Sequence, residues 1–180
     1  MAVLFETKDY LVRPFKDTDA QGIFELDTCP EVMKFLGGVS MTTLEEAQKL
    51  VDNLIWQYQE FKTARLAITN KATKEFIGWT GIKYERGLRD FPYYDIGYRL
   101  KYNYWGKGIA TETARFALHH GFTTLGLHEL HAAADMNNAA SQRVLLKVGM
   151  QPDGTFYYLN EEHLWYSITK DQWKINTVTK

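Results

Sequence analysis

Two glycines, Gly106 and Gly108, stand between a segment with strand-like alternation, residues 95–101, and a segment with helical periodicity that begins at Gly108. Glycine lets the backbone turn tightly and come close to a ligand. The first backbone N–H groups of a helix have no partner within the helix and carry the positive end of its dipole. Here those groups belong to Ile109, Ala110 and Thr111. Such a turn binds phosphate or pyrophosphate. Glycines between a strand and a helix also serve simply to end one element and begin the next.

The elements that must position this turn are readable from periodicity and capping signals. Helices are predicted to begin near Asp17 or Thr18, at the capping box of Thr43 and Glu46, and at Gly108, with a fourth over residues 139–147. Strand patterns cover residues 11–15, 64–69, 76–84, 94–101, 130–135, 155–159 and 163–169. This order predicts an α+β domain in which helices pack on a mixed sheet.

Composition and charge narrow the class of protein. The chain has 180 residues, of which 45% are hydrophobic and 24% charged, and its net charge is -1. These values predict one globular domain over residues 1–180. Because Lys and Arg are scattered, we expect neither nucleic acid nor a membrane as a partner. The single cysteine, Cys29, and the lack of a signal-peptide pattern predict a cytoplasmic protein, with monomer and homodimer both open.

Three stretches together resemble a known family. They are Gly97-Tyr98-Arg99-Leu100, then Tyr104-Trp105-Gly106-Lys107-Gly108-Ile109-Ala110-Thr111-Glu112, and then residues 138–150, which open with Asn138-Ala139-Ala140-Ser141. The combination resembles the GNAT superfamily of acetyl-CoA-dependent N-acetyltransferases, and within it the RimJ/RimL-type ribosomal-protein N-terminal acetyltransferases. The resemblance runs from Leu11 to the final hairpin. It implies one GNAT-like domain with a mixed, mostly antiparallel twisted sheet of about seven strands and about four flanking helices.

The resemblance also implies where acetyl-CoA binds. The pantetheine arm should lie along the end of the strand at residues 98–100, and the pyrophosphate should rest on the N–H groups from Gly106 to Thr111. Trp105 departs from the Arg or Gln that many family members carry, and Lys107 is either a charge near the phosphates or a solvated loop lysine. The residues implied to bind the cosubstrate are Tyr98, Arg99, Leu100, Trp105, Gly106, Lys107, Gly108, Ile109, Ala110, Thr111, Asn138 and Ser141.

Catalysis by direct attack of an amine on the thioester needs few side chains. Many relatives carry a tyrosine that protonates the departing thiolate, but this chain has Leu145 at that position. Ser141, one helical turn earlier, is our candidate for the acid, with water or a purely cofactor-binding hydroxyl as alternatives. Asp95 and Glu85, at strand ends, are candidates for the base that removes the ammonium proton, directly or through water.

The identity of the acceptor amine is not encoded in a readable motif. It should depend on three segments, residues 29–43, 85–94 and 158–163. By resemblance, protein N-terminal α-amines rank first, and polyamines or aminoglycoside-like amines follow. Four acidic residues are available to attract a cationic amine, namely Asp27, Glu31, Glu161 and Glu162. A noncatalytic acyl-CoA-binding sensor domain is the alternative of a different class.

The histidines do not predict a metal site. The chain has five of them, and none stands in an HExxH or cysteine-rich pattern. His128 and His131 would face opposite sides of one strand. We therefore expect surface histidines and no metal.

Overall fold

Eight strands form one sheet in the computed structural model, which describes residues 3–37, 40–158 and 160–178. The strands are β1 (Phe5–Glu6), β2 (Tyr10–Arg13), β3 (Arg65–Asn70), β4 (Phe76–Glu85), β5 (Tyr93–Leu100), β6 (Glu129–Asp135), β7 (Gln151–Tyr158) and β8 (Glu161–Thr169). Their order across the sheet is β1-β2-β3-β4-β5-β6-β8-β7. Neighbouring strands are antiparallel except β5 and β6, which are parallel.

Helices cover both faces of this sheet. They are α1 (Ala20–Asp27), α2 (Pro30–Met33), α3 (Leu44–Phe61), α4 (Ile109–His119), α5 (Ala139–Lys147) and α6 (Lys170–Val178). Ala67 of β3 packs in a core with α1 and α3, whereas its neighbours Leu66 and Ile68 pack with Ile109 of α4. Because successive strand residues point to opposite faces, α1 and α3 lie on one face and α4 lies on the other.

The parallel pair opens into a cleft. β5 and β6 are paired at one position, where Asp95 stands opposite His131. Beyond that pair β5 continues to Leu100 and β6 continues to Asp135, and on this side neither strand pairs with any other described residue. The two strands therefore separate toward their carboxyl ends, where β5 leads into α4 and β6 leads into α5. We call this gap the β5–β6 opening.

The predicted fold class is confirmed, and the element order is nearly so. The structure adds β1, α2 and α6 to the predicted elements. It also begins β7 at Gln151 rather than 155, because Pro152 and Gly154 sit in a register shift that the strand tolerates. The predicted strand 155–159 ends at Leu159, which lies outside the described residues. Within the described ranges, every helix is too short or too polar to span a membrane.

Candidate active site

A cavity of about 380 Å³ lies at the carboxyl end of β5, between the starts of α4 and α5. The predicted acetyl-CoA residues line it, with the exception of Lys107. The structure therefore brings together side chains from three separate stretches of sequence. Those lining residues are Tyr98, Arg99, Leu100, Trp105, Gly106, Gly108, Ile109, Ala110, Thr111, Asn138 and Ser141. Their role in binding acetyl-CoA stays a prediction.

The glycine turn has the backbone conformation that the sequence suggested. Gly106 and Gly108 have φ angles of 73° and 82°, in the left-handed region that side chains disfavour. No heavy atom of the described residues beyond the chain neighbours lies within 4 Å of a Cβ built at either position. The first helical hydrogen bond runs from Glu112 N to Gly108 O at 3.1 Å, and Gly108 offers no side-chain cap. The amides that precede Glu112 are thus available to an anion.

Trp105 and Lys107 have different environments in this turn. The Trp105 indole N–H donates to the Leu100 carbonyl oxygen at 2.8 Å, which ties the turn to the end of β5. Lys107 is exposed, and its Nζ lies 5.0 Å from the centroid of the Tyr104 ring. Of the two interpretations of Lys107, the placement favours the solvated loop lysine.

Two hydroxyl groups meet inside the cavity. The Tyr98 hydroxyl, from β5, lies 3.0 Å from the Ser141 carbonyl oxygen, to which it donates, and 3.1 Å from Ser141 Oγ, on α5. Burial raises the pKa of Tyr98, so its phenol is protonated at neutral pH. Asn138 caps α5 by accepting from the Ser141 backbone N–H at 3.0 Å. The Ser141 hydroxyl takes no part in this cap. Leu145 is buried in the core.

Asp95 lies outside the cavity and is paired with a cation. The Arg65 guanidinium donates to the Asp95 carboxylate, to the Asp95 carbonyl oxygen at 2.9 Å and to the Gly81 carbonyl oxygen at 2.7 Å. A Cβ on Gly97 would stand 2.8 Å from the Arg65 guanidinium carbon, so this glycine makes room for the pair. Burial raises the pKa of Asp95, and the Arg65 charge opposes that shift.

Glu85, the other predicted base, is also engaged. It accepts from Lys83 Nζ at 2.6 Å and from the backbone N–H groups of Arg86 and Gly87, each at 3.0 Å. Partial burial raises the pKa of Glu85, but these donors outweigh burial and hold the pKa below its usual value. A carboxylate held in this way is a weak proton acceptor.

His131 contradicts the expectation of surface histidines. It is 8% exposed, its ring stacks on Trp165 with centroids 5.0 Å apart, and its Nε2 lies 3.5 Å from a Glu129 carboxylate oxygen. Its Nδ1 is buried without a hydrogen-bond partner among the described residues. Burial lowers the pKa of His131, so the imidazole is neutral at neutral pH. Sequence reasoning missed this residue because an isolated histidine on a strand belongs to no motif that would predict its burial.

Sequence reasoning also missed two cations of the cavity wall. Arg143 and Lys147 both line the cavity and are one turn apart on α5. Neither makes an ion pair within the described part of the chain. Their spacing of four residues was a usable signal, since positions four apart share one helix face. Both charges suit a phosphorylated ligand.

The segment 29–43, which we expected to govern acceptor choice, also contributes to the cavity. Val32, Phe35 and Leu36 line it, and α2 begins with Pro30 at the first helical position. Gly38 and Val39 of this segment lie outside the described residues. Within the described ranges, no group of three or more His, Cys, Asp or Glu residues is placed to hold a metal ion.

Comparisons with known proteins agree with this architecture. The family description "Acetyltransferase (GNAT) domain" matches residues 10–151. The uncharacterized N-acetyltransferase YoaA of Bacillus subtilis is 32% identical over 159 residues, which cover 86% of each chain.

Two solved structures share the fold. One is the ribosomal-protein-S5-alanine acetyltransferase of Vibrio fischeri, with a TM-score of 0.77, 23% identity, and coverage of 94% of this chain and 97% of that one. The other is the spermidine N-acetyltransferase of Vibrio cholerae in complex with CoA and spermine, with a TM-score of 0.76, 16% identity, and coverage of 93% and 99%. The family match over residues 10–151 and the relative with 32% identity show that the chain belongs to the GNAT family and is an acetyl-CoA-dependent N-acetyltransferase.

Proposed function

We propose that this N-acetyltransferase transfers the acetyl group to a protein N-terminal α-amine, as RimJ/RimL-type enzymes do. The observation that carries the proposal is the pairing of the carboxylates on β5 and beside it. Asp95 is paired with Arg65, Glu85 with Lys83, and Asp27 with Arg99 at 2.5 Å. A polyamine carries several positive charges and needs unpaired carboxylates, whereas a single α-amine does not.

The surface beside the opening also favours a polypeptide end. A cluster of aromatic side chains, Phe91, Tyr93, Phe156 and Trp165 together with His131, spreads over β5, β6, β7 and β8. Each member lies on a strand or on the β4–β5 loop, so none comes from a helix. Phe91 is 41% exposed. Tyr93, Trp165 and His131 are buried, so the contact area for a bound peptide comes from Phe91 and the half-buried Phe156.

Small amines are the second candidate, and one observation favours them. Of the acidic residues predicted to attract a cation, Glu161 and Glu162 make no ion pair within the described residues. Both lie on β8, at its start. The spermidine enzyme among the structural neighbours shows that this fold accommodates such acceptors.

The proposed reaction is a direct transfer. The neutral amine nitrogen attacks the thioester carbonyl carbon, the C–S bond breaks, and the thiolate of CoA takes up a proton while the amine loses one. We assign Ser141 as the donor of the proton to the CoA sulfur. The Tyr98 hydroxyl, which contacts Ser141 Oγ, then returns a proton to Ser141. Asp95, directly or through water, is the proposed acceptor of the amine proton. His131 is a second candidate for that role because its Nδ1 lone pair has no other partner among the described residues.

An acceptor panel tests the proposed function. Short peptides with a free α-amine should give a higher kcat/KM than the same peptides blocked at the N-terminus and carrying a lysine, and than spermidine or an aminoglycoside. The α-amine is the more reactive at neutral pH because its ordinary pKa lies about 2.5 units below that of lysine. A preference for spermidine would replace the proposal with the second candidate.

Ligand binding to the cavity should be visible as stabilisation. At a concentration of acetyl-CoA of about 100 Kd, mass action adds about 2.7 kcal/mol to the free energy of unfolding. For a chain of this size the midpoint should rise by about 5–10 °C. Desulfo-CoA should act similarly, because the backbone amides of the turn contact phosphates and not sulfur. If neither ligand shifts the thermal midpoint at millimolar concentration, the cavity is not the acetyl-CoA site.

The glycine turn has a matched control in the same chain. Gly108→Val should weaken acetyl-CoA binding, because a branched side chain would occupy the open space beside the helix amides. Gly126 has a φ of 67°, equally open surroundings and no place in the cavity wall. Gly126→Val should therefore lower the free energy of unfolding by about as much as Gly108→Val does, about 1–2 kcal/mol from the strained backbone. It should leave acetyl-CoA binding unchanged. Equal calorimetric affinities in both folded variants would rule out a phosphate-binding turn.

A further inference from the structure

Arg89, in the loop between β4 and β5, is a cation that aromatic rings hold in place. Its guanidinium carbon lies 4.9 Å from the ring centroid of Trp165, 5.3 Å from that of Phe156 and 5.6 Å from that of Phe91. In the described part of the chain, it makes no ion pair and no side-chain hydrogen bond. Three ring contacts thus fix its position without using its hydrogen-bond donors.

This arrangement differs from that of the other arginines near the β5–β6 opening. Arg65 and Arg99 also stack on a ring, that of Trp79, at 5.0 and 5.1 Å, but each also has a carboxylate partner. Arg89 has the ring contacts but, among the described residues, no carboxylate partner. Phe91 and Phe156 stand at 89° and 88° to Trp165, so the guanidinium cannot lie flat on all three rings. Those of its N–H groups that do not face a ring stay available to an anion.

The position of Arg89 connects it to the reacting end of the site. Trp165, its nearest ring, stacks on His131 with an angle of 25° between the planes. His131 stands opposite Asp95 in the pair from which β5 and β6 separate. His131 points away from the face that holds α4, because its neighbour Ala132 packs in the core with that helix. Trp165 and His131 are buried, so an acceptor with its amine at the opening and its far end at Arg89 would contact the exposed ring of Phe91.

We propose that Arg89 binds an anionic group, a carboxylate or a phosphate, on the acceptor whose amine reaches the β5–β6 opening. A guanidinium edge matches both groups through two parallel N–H···O hydrogen bonds. The inference rests on the proposed function and deepens it, because it defines the acceptor as an amine with a nearby anion. For a peptide, that anion would be an acidic side chain close to the N-terminus. For a small molecule, it would belong to an amino acid or an amino phosphate.

Matched acceptor pairs test this proposal. One pair is a tripeptide amide with glutamate or glutamine at its second position. A second pair is 4-aminobutyrate and its amide, and a third is phosphoethanolamine and ethanolamine. Hydrogen bonds to a charged group should favour the anionic member of at least one pair by about tenfold to a hundredfold in kcat/KM. Which pair shows the preference identifies the source of the anion. Equal values within all three pairs would overturn the proposal.

Two variants of the same loop separate binding from a structural role. Arg89→Gln should abolish the preference by raising KM for the anionic member, with little change for the neutral one. Arg86 also stacks on a ring, that of Tyr84 at 4.9 Å, and Arg86→Gln should leave the preference intact. An equal loss for anionic and neutral acceptors in Arg89→Gln would show that the arginine only holds the loop.

The failure of this inference is distinguishable from failure of the proposed function. Calorimetry of the same pairs on protein saturated with desulfo-CoA measures acceptor binding without turnover. Tighter binding of the anionic member, lost in Arg89→Gln, supports the inference even where no peptide is acetylated. Good turnover of peptides with no anion preference by either measurement supports the proposed function and overturns the role of Arg89.

Discussion

Replacement of Ser141 by alanine is expected to lower kcat by about a hundredfold or more, the usual value of a positioned general acid. The affinity for acetyl-CoA should change little, since a lost proton donor acts on the departing thiolate and not on the bound ground state. The variant should fold normally, because the α5 cap uses the Ser141 backbone N–H and not its hydroxyl. Steady-state kinetics and calorimetry with acetyl-CoA measure the two quantities.

Two companion variants give this test its controls. Ser141→Thr keeps a hydroxyl at the same position and should retain more activity than the alanine variant. Tyr98→Phe removes the hydroxyl that lies 3.1 Å from Ser141 Oγ, so it should also lower kcat if Tyr98 resupplies the proton. If Ser141→Ala mainly raises the KM for acetyl-CoA, the hydroxyl only binds the cosubstrate. A fully active Ser141→Ala enzyme would leave water as the acid.

Local features of the fold were predictable because their causes are local. Thr43 and Glu46 form the predicted capping box, with each side chain accepting from the other residue's backbone N–H at 3.3 Å. Asn138 stands directly before the predicted helix 139–147 and caps α5, a position that asparagine favours. The glycine turn was equally readable, since positive φ angles at Gly106 and Gly108 follow from the need for a tight strand-to-helix connection.

Elements without a local pattern were missed. α6 is polar over most of its length, and its attachment depends on Trp173 packing against the core beside Phe122. β7 contains a proline and a positive-φ glycine, which read as a turn, yet it is held by its long pairing with β8. In both cases tertiary packing decides a structure that intrinsic propensity does not favour.

The chemistry of the site depends on contacts between distant residues. Tyr98 and Ser141 are 43 positions apart, and Arg65 and Asp95 are 30 apart. A single sequence does not indicate such pairs, so Asp95 was predicted as a candidate base without its Arg65 partner. His131 and Arg89 were overlooked for the same reason, because their significance arises only from the rings that surround them.

Replacement of Asp95 by asparagine is expected to destabilise the fold as well as slow the reaction. The Asp95 and Arg65 side chains are 16% and 13% exposed, so the variant leaves a largely buried guanidinium without its counter-charge. The expected loss is about 2–3 kcal/mol in the free energy of unfolding, less than for a fully buried pair. In a chain of this size that loss lowers the thermal midpoint by about 5–10 °C. The double variant Arg65→Gln, Asp95→Asn should lose less free energy of unfolding than the sum of the losses in the two single variants. Strictly additive losses would show that the two side chains do not stabilise each other.

A pH–rate series then decides whether Asp95 is also the base. A base must be deprotonated, so kcat/KM falls as the pH falls through its pKa. This fall is the acidic limb of the pH–rate profile. Burial raises the pKa of Asp95, so an Asp95 base would put the limb above the usual pH range of an aspartate. Burial lowers the pKa of His131, so a His131 base would put it below the usual pKa of a histidine. The two shifts move the pKa values of Asp95 and His131 toward each other, so the variants are needed to tell the two bases apart. If Asp95 is the base, Asp95→Asn removes the limb and His131→Gln keeps it. The reverse result would assign the proton to His131, and a limb retained in both variants would assign it to water.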